Sequence, residues 1–369
     1  MTVWQLPSLP GKNPYGDLLV RSLEARGVTI VAVPYRHVFA LRALTQRPDV
    51  IHFQFIAPWV LPAENPHSWW RALVKGTGFL AQVALLRLAG CAIVWTVHNL
   101  VNHERRLANL EWFFSLLFTR LAHRVIVHSQ YARGEVLREY RLHRREDRIA
   151  VVFHPNYIGA YPDRVTRDHA RERLGIDGAS VVIACLGQIR RYKGLLELVH
   201  AFRTIGDRQG ASLWIAGEPV DTTLATELQR EAGAAPAVHL RSEFLSADDV
   251  DTLLKAADVV ALPYRNILTS GAAVLAMSYG KACVAPRLGC LVEVLDARGA
   301  FFYDPADPAG LRDALDRAIA SAGELPAMGE SNRTRVSAWS WTKAADLLID
   351  VYESARGSRG QPAAVSGSD

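Results

Sequence analysis

The sequence predicts an α/β protein with two domains, each built on a doubly wound parallel sheet. Short runs rich in β-branched residues alternate with longer segments of helical periodicity along the whole chain. This alternation is typical of βαβ units. The chain has 369 residues, whereas one domain usually has roughly 100 to 200, so two compact cores are expected.

The predicted strands fall into two sets. The first set consists of residues 28–33, 49–55, 92–98, 124–129 and 149–153. The second set consists of residues 181–187, 212–217, 238–240, 258–262, 282–285 and 300–303. Prolines and glycines punctuate residues 154–167, which places the junction there. We therefore expect domains at 1–160 and 161–335, an amphipathic helix at 340–356 and a disordered tail at 357–369.

Composition indicates a globular protein that prefers anionic partners. Half of the residues are hydrophobic and 21% are charged, which excludes a disordered chain. The net charge is +5 at pH 7. This excess suits phosphates, lipid headgroups or nucleic acid, and it does not choose among them.

Cysteine usage and the N-terminal residues predict a cytoplasmic protein. The four cysteines are scattered and form no C-x-x-C pair, as expected of core residues in a reducing compartment. The first seven residues lack the basic and apolar regions of a signal peptide. The longest apolar stretch, residues 72–90, is interrupted by Lys75, Gln82 and Arg87, so we do not expect it to span a membrane.

Residues 187–194 form the first segment suited to chemistry. They follow a predicted strand and precede a predicted helix, and they begin with Gly187 and end with Gly194. Backbone amides in such a turn approach a ligand closely, while Arg190 and Lys193 add charge-assisted hydrogen bonds to a diphosphate. The alternative is an ordinary basic loop.

Residues 262–273 form a second turn of the same kind. Tyr264 and Arg265 follow a strand, and Thr269, Ser270 and Gly271 stand where an apolar helix begins. Unpaired amides and the positive end of the helix dipole favour an anion there. The alternative is that Thr269 or Ser270 only caps the helix.

A third segment, residues 95–104, lies in the first half. His98 and Asn99 follow a strand, so we expect them at the carboxyl edge of the sheet, with His103 and Glu104 in the loop beyond. His98 or Glu104 is suited to the role of general base. The alternative is a structural histidine. His103 and Glu104 have no second pair at ligand spacing, so no metal and no cofactor are expected.

Two shorter segments complete the set of candidates. Residues 11–17 include Asn13 and Tyr15 before a predicted helix, a composition that suits a loop on the acceptor side. Glu218 follows the strand at 212–217 and is a candidate donor contact. A plain turn explains the first segment equally well, and Glu218 is also suited simply to ending its strand.

Two predicted helices are unusually apolar for a protein surface. Residues 69–88 and 112–118 are rich in tryptophan, phenylalanine and leucine, with arginine and lysine interleaved in the first of them. Such helices suit contact with an anionic bilayer. Packing between the sheet and solvent is the alternative.

The motifs resemble those of GT-B glycosyltransferases, which have two Rossmann-like domains facing across a cleft. The sequence is similar to family 4-like enzymes and to bacterial exopolysaccharide transferases, including the lipid-linked mannosyltransferases of xanthan assembly. The resemblance rests on Thr-x-His-Asn-Leu at 96–100, Gly-x-Ile-Arg-x-Tyr-Lys-Gly at 187–194 and Leu-Pro-Tyr at 262–264 followed by Ser-Gly at 270–271.

The resemblance implies roles for particular residues. Arg190 and Lys193 would bind the donor diphosphate, the amides of Ser270 and Gly271 would assist, and His98 would act near the acceptor. The last helix would cross back to the first domain. In one respect the sequence departs from the pattern, because many retaining relatives carry two glutamates eight positions apart where this chain has Ile267 and Leu275.

We therefore expect a glycosyltransferase that moves a sugar from a nucleotide diphosphate sugar, GDP-mannose or UDP-hexose, to a lipid-linked or saccharide acceptor. Peripheral contact with the inner face of the cell membrane is compatible with this function, and no nucleic acid is expected as a partner. Cleft closure would align donor and acceptor. Two alternatives remain, which are a nucleotide-sugar-binding protein without catalysis and an epimerase of the same architecture.

Overall fold

The chain divides into two compact units. The computed structural model describes residues 1–8, 13–62, 68–102, 107–176, 180–205 and 210–358. Unit 1 comprises Met1–Phe153 together with Trp341–Asp369, and unit 2 comprises His154–Ser340. The boundary after Phe153 lies seven residues before the predicted domain limit at residue 160.

Unit 1 contains a six-stranded parallel sheet in the order β2-β1-β3-β4-β5-β6. Its strands are β1 Thr2–Leu6, β2 Thr29–Ala32, β3 Val50–Phe53, β4 Ala92–Thr96, β5 Arg124–Val127 and β6 Ile149–Val151. Its α-helices are α1 Tyr15–Glu24, α2 Ala40–Gln46, α3 Ala57–Val60, α4 Trp69–Leu88, α5 Ala108–Leu121, α6 Gln130–Glu139 and, after unit 2 in the chain, α15 Trp341–Gly357. A 3-10 helix spans His143–Arg148.

Helices cover both faces of this sheet, which explains why its central strands are buried along their whole length. All residues of β3 and β4 are buried, as is typical of parallel strands covered on both sides. On one face α15 packs against α1 and against β3, β4 and β5. Its residues Leu348 and Tyr352 belong to the same core cluster as Val94 of β4.

Unit 2 contains a second six-stranded parallel sheet in the order β12-β11-β10-β7-β8-β9. Its strands are β7 Val181–Leu186, β8 Ala211–Ala216, β9 Val238–Arg241, β10 Val259–Ala261, β11 Ala282–Pro286 and β12 Ala300–Tyr303. Its α-helices are α7 Arg167–Leu174, α8 Leu195–Arg203, α9 Thr222–Gly233, α10 Ala247–Ala256, α11 Gly271–Ser278, α12 Leu291–Val294, α13 Gly310–Ala320 and α14 Leu325–Ser337. A short 3-10 helix spans Arg191–Lys193.

The strand order of unit 2 places its switch point between β7 and β10. From β7 the chain adds β8 and β9 on one side, and then it returns to pair β10 with the other side of β7. In doubly wound sheets, ligands bind beyond the carboxyl ends of the strands at such a switch point. The turns after β7 and β10 are therefore neighbours at the place where a ligand is expected.

The predicted strands all form, within two residues at most ends. The sequence analysis missed β1, whose five residues were considered only as a possible signal peptide. The predicted helix at 340–356 forms as α15. Most of the tail predicted to be disordered, residues 359–369, lies outside the described residues. All four cysteines are free and buried, and none of the described helices is long and apolar enough to cross a bilayer.

Candidate functional site

The turn after β7 places a lysine ammonium over the end of that strand. The side chain of Lys193 folds back over its own turn, and its Nζ donates a hydrogen bond of 3.3 Å to the carbonyl oxygen of Leu186. Gly187, with a φ of +102°, makes room for it, since a Cβ at this glycine would lie 2.7 Å from Nζ. Lys193 is only 7% exposed.

The surroundings of Lys193 disfavour its charge. Burial lowers the pKa of Lys193 below its usual value, nearby Cys185 opposes this shift, and repulsion from Arg190 adds to it. A buried ammonium with a single carbonyl partner gains most from an added anion, because the anion supplies the charge compensation that burial removed. The turn is therefore electrostatically suited to a phosphate.

The turn after β10 is in direct contact with the turn after β7. The backbone amide of Arg265 donates a hydrogen bond of 2.8 Å to the carbonyl oxygen of Tyr192. Gly194 has a φ of +66°, and a Cβ on it would lie only 2.0 Å from the carbonyl oxygen of Pro263. Only glycine fits this close approach, so the packing of Gly194 on Pro263 fixes the two turns as one structure.

The second turn leads into the N-terminus of α11. The Oγ of Ser270 accepts a hydrogen bond of 3.1 Å from the amide of Ala273 and lies 3.4 Å from the hydroxyl of Tyr264. Ser270 is thus the N-cap, and the helix begins at Gly271 and not at Thr269 as the sequence analysis expected. The Oγ1 of Thr269 is buried and has no hydrogen-bond partner among the described residues.

The open side of the first turn of α11 faces two aromatic side chains. A Cβ on Gly271 would lie 3.4 Å from the Nε2 of His154 and 3.6 Å from the hydroxyl of Tyr157. The amide of Tyr157 in turn donates a 2.9 Å hydrogen bond to the Oγ of Ser278, at the other end of α11. A ligand at this helix start would therefore meet polar atoms of His154 and Tyr157 as well as backbone amides.

The remaining donor candidates lie at the rim of these turns. The Nε of Arg190 donates a 3.1 Å hydrogen bond to the Oε1 of Gln188, and the Arg190 guanidinium is half-buried. Arg265 forms an ion pair with Glu197 of α8. The carbonyl oxygen of Glu218 accepts a 2.9 Å hydrogen bond from the amide of Ile189, which joins the β8 turn to the β7 turn.

Arg191 is engaged elsewhere. The Nε of Arg191 donates a hydrogen bond of 2.7 Å to a carboxylate oxygen of Asp221. Asp221 also caps α9, accepting from the amide of Leu224. Arg191 therefore connects the β7 turn to α9, and Arg190 and Lys193 remain the cations that face the switch point.

In unit 1, His98 lies at the carboxyl edge of the sheet, directly after β4. Its Nε2 is 3.0 Å from the Oε1 of Gln54, which follows β3. Its ring stacks on Phe55 with centroids 4.7 Å apart. Tyr15 of α1 and His128 after β5 approach the same ring edge-on and at a tilt, with centroid distances of 6.1 and 5.2 Å.

Burial disfavours the charged form of the neighbouring histidines His52 and His128. Burial lowers the pKa of His52 to about 3, with repulsion from His128 contributing, and the His52 ring bridges Tyr352 and Thr96 by hydrogen bonds of 2.8 and 2.7 Å. Burial also lowers the pKa of His128, whose Nδ1 lies 2.8 Å from the carbonyl oxygen of Val152. His98 is the partly exposed member of this group and the one suited to meet a substrate.

The structure describes some of the other acceptor-side candidates and not others. The Oδ1 of Asn13 accepts a 2.9 Å hydrogen bond from the amide of Tyr15, which fixes the start of α1. Asn99 is half-buried beside His98. His103 and Glu104 lie outside the described residues, so their candidacy stays a prediction.

Several residues at these sites were missed by the sequence analysis. In unit 1 they are Gln54, Phe55 and His128; in unit 2 they are His154, Tyr157 and Tyr192. Gln54 and His128 directly follow parallel strands of one sheet, so strand ends alone carried a signal for them. The approach of His154 and Tyr157 to α11 is a tertiary contact, and no local pattern reveals it.

At the two positions where many retaining relatives carry glutamates, this chain has apolar residues in apolar surroundings. Ile267 and Leu275 are both buried. A Cβ on Gly289, in the loop after β11, would lie 2.3 Å from the carbonyl oxygen of Ile267 and 3.0 Å from its Cγ2. The space beside Ile267 is thus filled by hydrocarbon and backbone. Among the described residues no group of three or more histidine, cysteine or acidic side chains is arranged to bind a metal.

Solved structures with this architecture decide the fold class. Anabaena Alr3699/HepE in complex with UDP and glucose superposes with a TM-score of 0.73 at 15% identity, covering 95% of this chain and 99% of that one. Sucrose-phosphate synthase from Thermosynechococcus elongatus superposes with a TM-score of 0.74 at 15% identity, covering 95% and 98%. The chain has the GT-B fold. The fold class predicted from the sequence is confirmed.

Within this GT-B chain, residues 180–321 match the model of the family described as glycosyl transferases group 1. D-inositol 3-phosphate glycosyltransferase of Corynebacterium kroppenstedtii is 31% identical over 202 residues, which are 52% of this chain and 44% of the relative. MMP alpha-(1->4)-mannosyltransferase of Mycolicibacterium hassiacum is 28% identical over 287 residues, which are 76% and 68%. The chain spans about half the length of the inositol phosphate glycosyltransferases that it matches. The matched region carries the turns after β7 and β10, and its relatives are of the enzyme class that the sequence predicted.

Proposed function

We propose that this chain is a glycosyltransferase whose unit 2 binds a nucleoside diphosphate sugar and whose unit 1 binds the acceptor. The observation that carries the proposal is the junction of two anion-suited turns at the switch point of the second sheet. The Arg265 to Tyr192 hydrogen bond and the packing of Gly194 on Pro263 bring the Lys193 ammonium and the start of α11 to one edge of one sheet.

The proposed chemistry depends on stabilising the departing diphosphate. As the bond between the sugar and the diphosphate breaks, negative charge grows on the phosphate oxygens. Fixed donors lower the barrier most when they are already placed where this charge develops. We assign Lys193 and Arg190 to neutralising it, and the backbone amides of Ser270 and Gly271 to donating hydrogen bonds to a phosphate oxygen.

On the acceptor side we assign His98 to orienting the attacking hydroxyl. If the reaction inverts the configuration at the sugar carbon, a base must remove the hydroxyl proton, and His98 and Glu104 are the candidates. If it retains the configuration, a donor phosphate oxygen can take that proton, and neither residue is required as a base. Because this chain has Ile267 and Leu275 where many retaining relatives have glutamates, inversion or retention has to be determined by measurement.

The names of relatives indicate which donors to test first. One relative is named a mannosyltransferase, and structures of Anabaena Alr3699/HepE contain UDP, glucose or UDP-glucose. We therefore put forward GDP-mannose and UDP-hexoses as donors. A lipid-linked or saccharide acceptor, used by an enzyme at the inner face of the cell membrane, completes the proposal.

A donor screen tests the proposal and separates it from its rivals. The melting temperature is measured with UDP, GDP, ADP and their sugar conjugates, and release of nucleoside diphosphate is then followed with and without a panel of lipid-linked and saccharide acceptors. A glycosyltransferase releases nucleotide in an acceptor-dependent manner. Binding without release would identify a nucleotide-sugar-binding protein, and sugar conversion without any acceptor would identify an epimerase. A protein that binds no nucleotide would refute the proposal.

A further inference from the structure

The outward face of α4 carries large exposed apolar side chains toward both ends of the helix and no charged residue between them. We call this surface, made of Trp69, Trp70, Leu73, Val74, Leu85 and Leu88, the α4 face. Trp69 and Val74 are each 64% exposed and Leu88 is 87% exposed. None of the exposed residues of this helix is charged. With 20 residues, α4 is about 30 Å long, and the apolar exposure toward both of its ends is far more than the scattered exposed leucines of an ordinary surface.

The opposite side of α4 is fixed to unit 1, so the exposure of this face is not a consequence of loose packing. Phe79 is buried against Trp59 and Phe118, with ring centroids 5.8 and 5.2 Å away. A Cβ on Gly76 would lie 2.4 Å from the ring of Phe114, which shows how closely α4 approaches α5. The Nζ of Lys75 donates hydrogen bonds of 2.9 and 2.8 Å to backbone carbonyls near α3.

The surface around the α4 face contains cations and very few acids. The helices α2, α3 and α4 contain no aspartate or glutamate. The one acidic residue of α5, Glu111, is buried and accepts a hydrogen bond from the amide of Asn102. The guanidinium of Arg71 lies 5.4 Å from the ring centroid of Trp70, beside the α4 face.

Arginines converge where α4 ends. We call Arg87, Arg120, Arg145 and Arg148 the arginine cluster. Burial lowers the pKa of Arg87, Arg120 and Arg148, and repulsion from Arg145 lowers each of them further. For Arg148 the repulsion from Arg145 and Arg87 exceeds the attraction from Asp147. The Nη1 of Arg148 is buried and makes no hydrogen bond to the described residues. Guanidinium groups in this situation are stabilised by phosphate oxygens.

We propose that unit 1 docks on an anionic phospholipid bilayer, with the α4 face in the headgroup and acyl boundary and the arginine cluster on lipid phosphates. Tryptophan and leucine on one face with arginine at its edges is the composition of helices that lie in a membrane interface. A positively charged surface is attracted to anionic lipid. The docking itself does not depend on the proposed function. Only its purpose, which is to bring the enzyme to a lipid-linked acceptor, rests on that proposal.

Vesicle sedimentation tests the docking. The full chain is expected to bind vesicles of phosphatidylglycerol and phosphatidylcholine in equal parts, and to bind phosphatidylcholine alone more weakly. Leu73→Glu combined with Val74→Glu should lower the partition by about tenfold or more, since each side chain loses its burial in the interface. Phe244→Glu combined with Val292→Glu is the matched control, because it places the same two charges on exposed apolar residues of unit 2; it should bind like the unaltered chain.

Charge variants test the arginine cluster separately. Arg120→Gln with Arg145→Gln should weaken binding to the anionic vesicles by about fivefold per charge removed, and added salt should reduce the difference. Arg164→Gln combined with Arg230→Gln removes the same two charges from exposed arginines of unit 2 and should have no effect. Equal losses of vesicle binding in both variants would mean that only the net charge of the chain matters. This result would overturn the assignment of the arginine cluster to lipid phosphates.

Other outcomes overturn the docking itself. Failure of the full chain to bind anionic vesicles at low salt would do so, as would unchanged binding by the Leu73→Glu and Val74→Glu variant. Light scattering that reports a dimer, lost in the same variant, would assign the α4 face to a second copy of the chain. The melting-temperature shift with UDP and GDP is measured in the same samples without vesicles. Its absence would refute the proposed function and leave the docking result unaffected.

Discussion

The backbone amide of Arg265 donates a hydrogen bond of 2.8 Å to the carbonyl oxygen of Tyr192, and this bond joins the two turns on which the proposed donor site is built. Each turn belongs to a separate βα unit of the second sheet. Each turn also contributes a tyrosine ring to the junction, and the ring centroids of Tyr192 and Tyr264 lie 6.1 Å apart. Since both turns contribute to one candidate anion site, a substitution that moves them apart should weaken nucleotide binding as well as stability.

Substitution of Gly194 tests this junction. Gly194→Ala should abolish the melting-temperature shift with UDP and GDP and destabilise the protein, because the new methyl would lie 2.0 Å from the carbonyl oxygen of Pro263. Gly175 has the same φ and ψ of 66° and 31°, and a Cβ there meets nothing within 4 Å. Gly175→Ala should cost only the left-handed strain of about 1–2 kcal/mol, whereas Gly194→Ala should add about 1–3 kcal/mol for the clash. Equal losses of stability and retained nucleotide binding would contradict the prediction.

Lys193→Ala should remove donor binding while leaving the fold intact. Truncating one partner of a buried, hydrogen-bonded charge pair costs about 2–5 kcal/mol, which is at least about 30-fold in Kd. The variant also relieves a buried ammonium, so its melting temperature without nucleotide should not fall. Calorimetric titration with the best nucleotide of the donor screen measures the loss. Lys193→Arg should retain part of the affinity, and unchanged turnover by the alanine variant would reject the assigned role.

The lowered pKa of Lys193 predicts proton uptake on nucleotide binding. Burial lowers this pKa and a bound diphosphate would raise it again, so binding should take up a proton at pH values between the two pKa values. Affinity should therefore fall as the pH rises through the lowered pKa. The unfolded chain binds the extra proton between that value and the ordinary lysine pKa, so stability without nucleotide should rise with pH in this window. Titrations in buffers of different ionisation enthalpy measure the uptake, which should be absent in Lys193→Arg.

Ser270→Ala should weaken nucleotide binding beyond its effect on the helix. Loss of the cap costs about 1 kcal/mol of stability, and the hydroxyl beside the anion site contributes up to about tenfold in affinity. Ser129→Ala provides the matched control, since Ser129 is also buried and caps α6 in the same way through the amide of Ala132. Both variants should lose similar stability, measured by chemical denaturation. If they also lose similar affinity, Ser270 is only a cap.

His98→Ala should slow transfer without changing nucleotide binding. If His98 acts as the general base, acceptor-dependent release of nucleoside diphosphate should fall by about 10²–10⁴, whereas the melting-temperature shift with nucleotide should stay the same. His143→Ala, which removes an exposed histidine of unit 1, should leave both unchanged. A loss of nucleotide affinity in His98→Ala would contradict an acceptor-side role.

Much of the candidate site was predictable because the signals are local. Lys193, Ser270 and His98 each lie in the segment that follows a buried parallel strand, and such segments lie at the carboxyl edge of their sheet. Arg191 makes a contact that local sequence patterns do not predict. Its ion pair with Asp221 bridges residues 30 apart in sequence.

The sequence by itself determined the βα rhythm, the two sets of parallel strands and the turns that carry the charged residues, because burial on both faces of a strand and the start of a helix leave periodic and compositional traces. The tertiary structure alone decided that β10 pairs with β7, which brings Gly194 onto Pro263. It also decided which side of α4 stays uncovered. Strand order and helix facing are set by the competition of all apolar surfaces for burial, and no single segment contains that information.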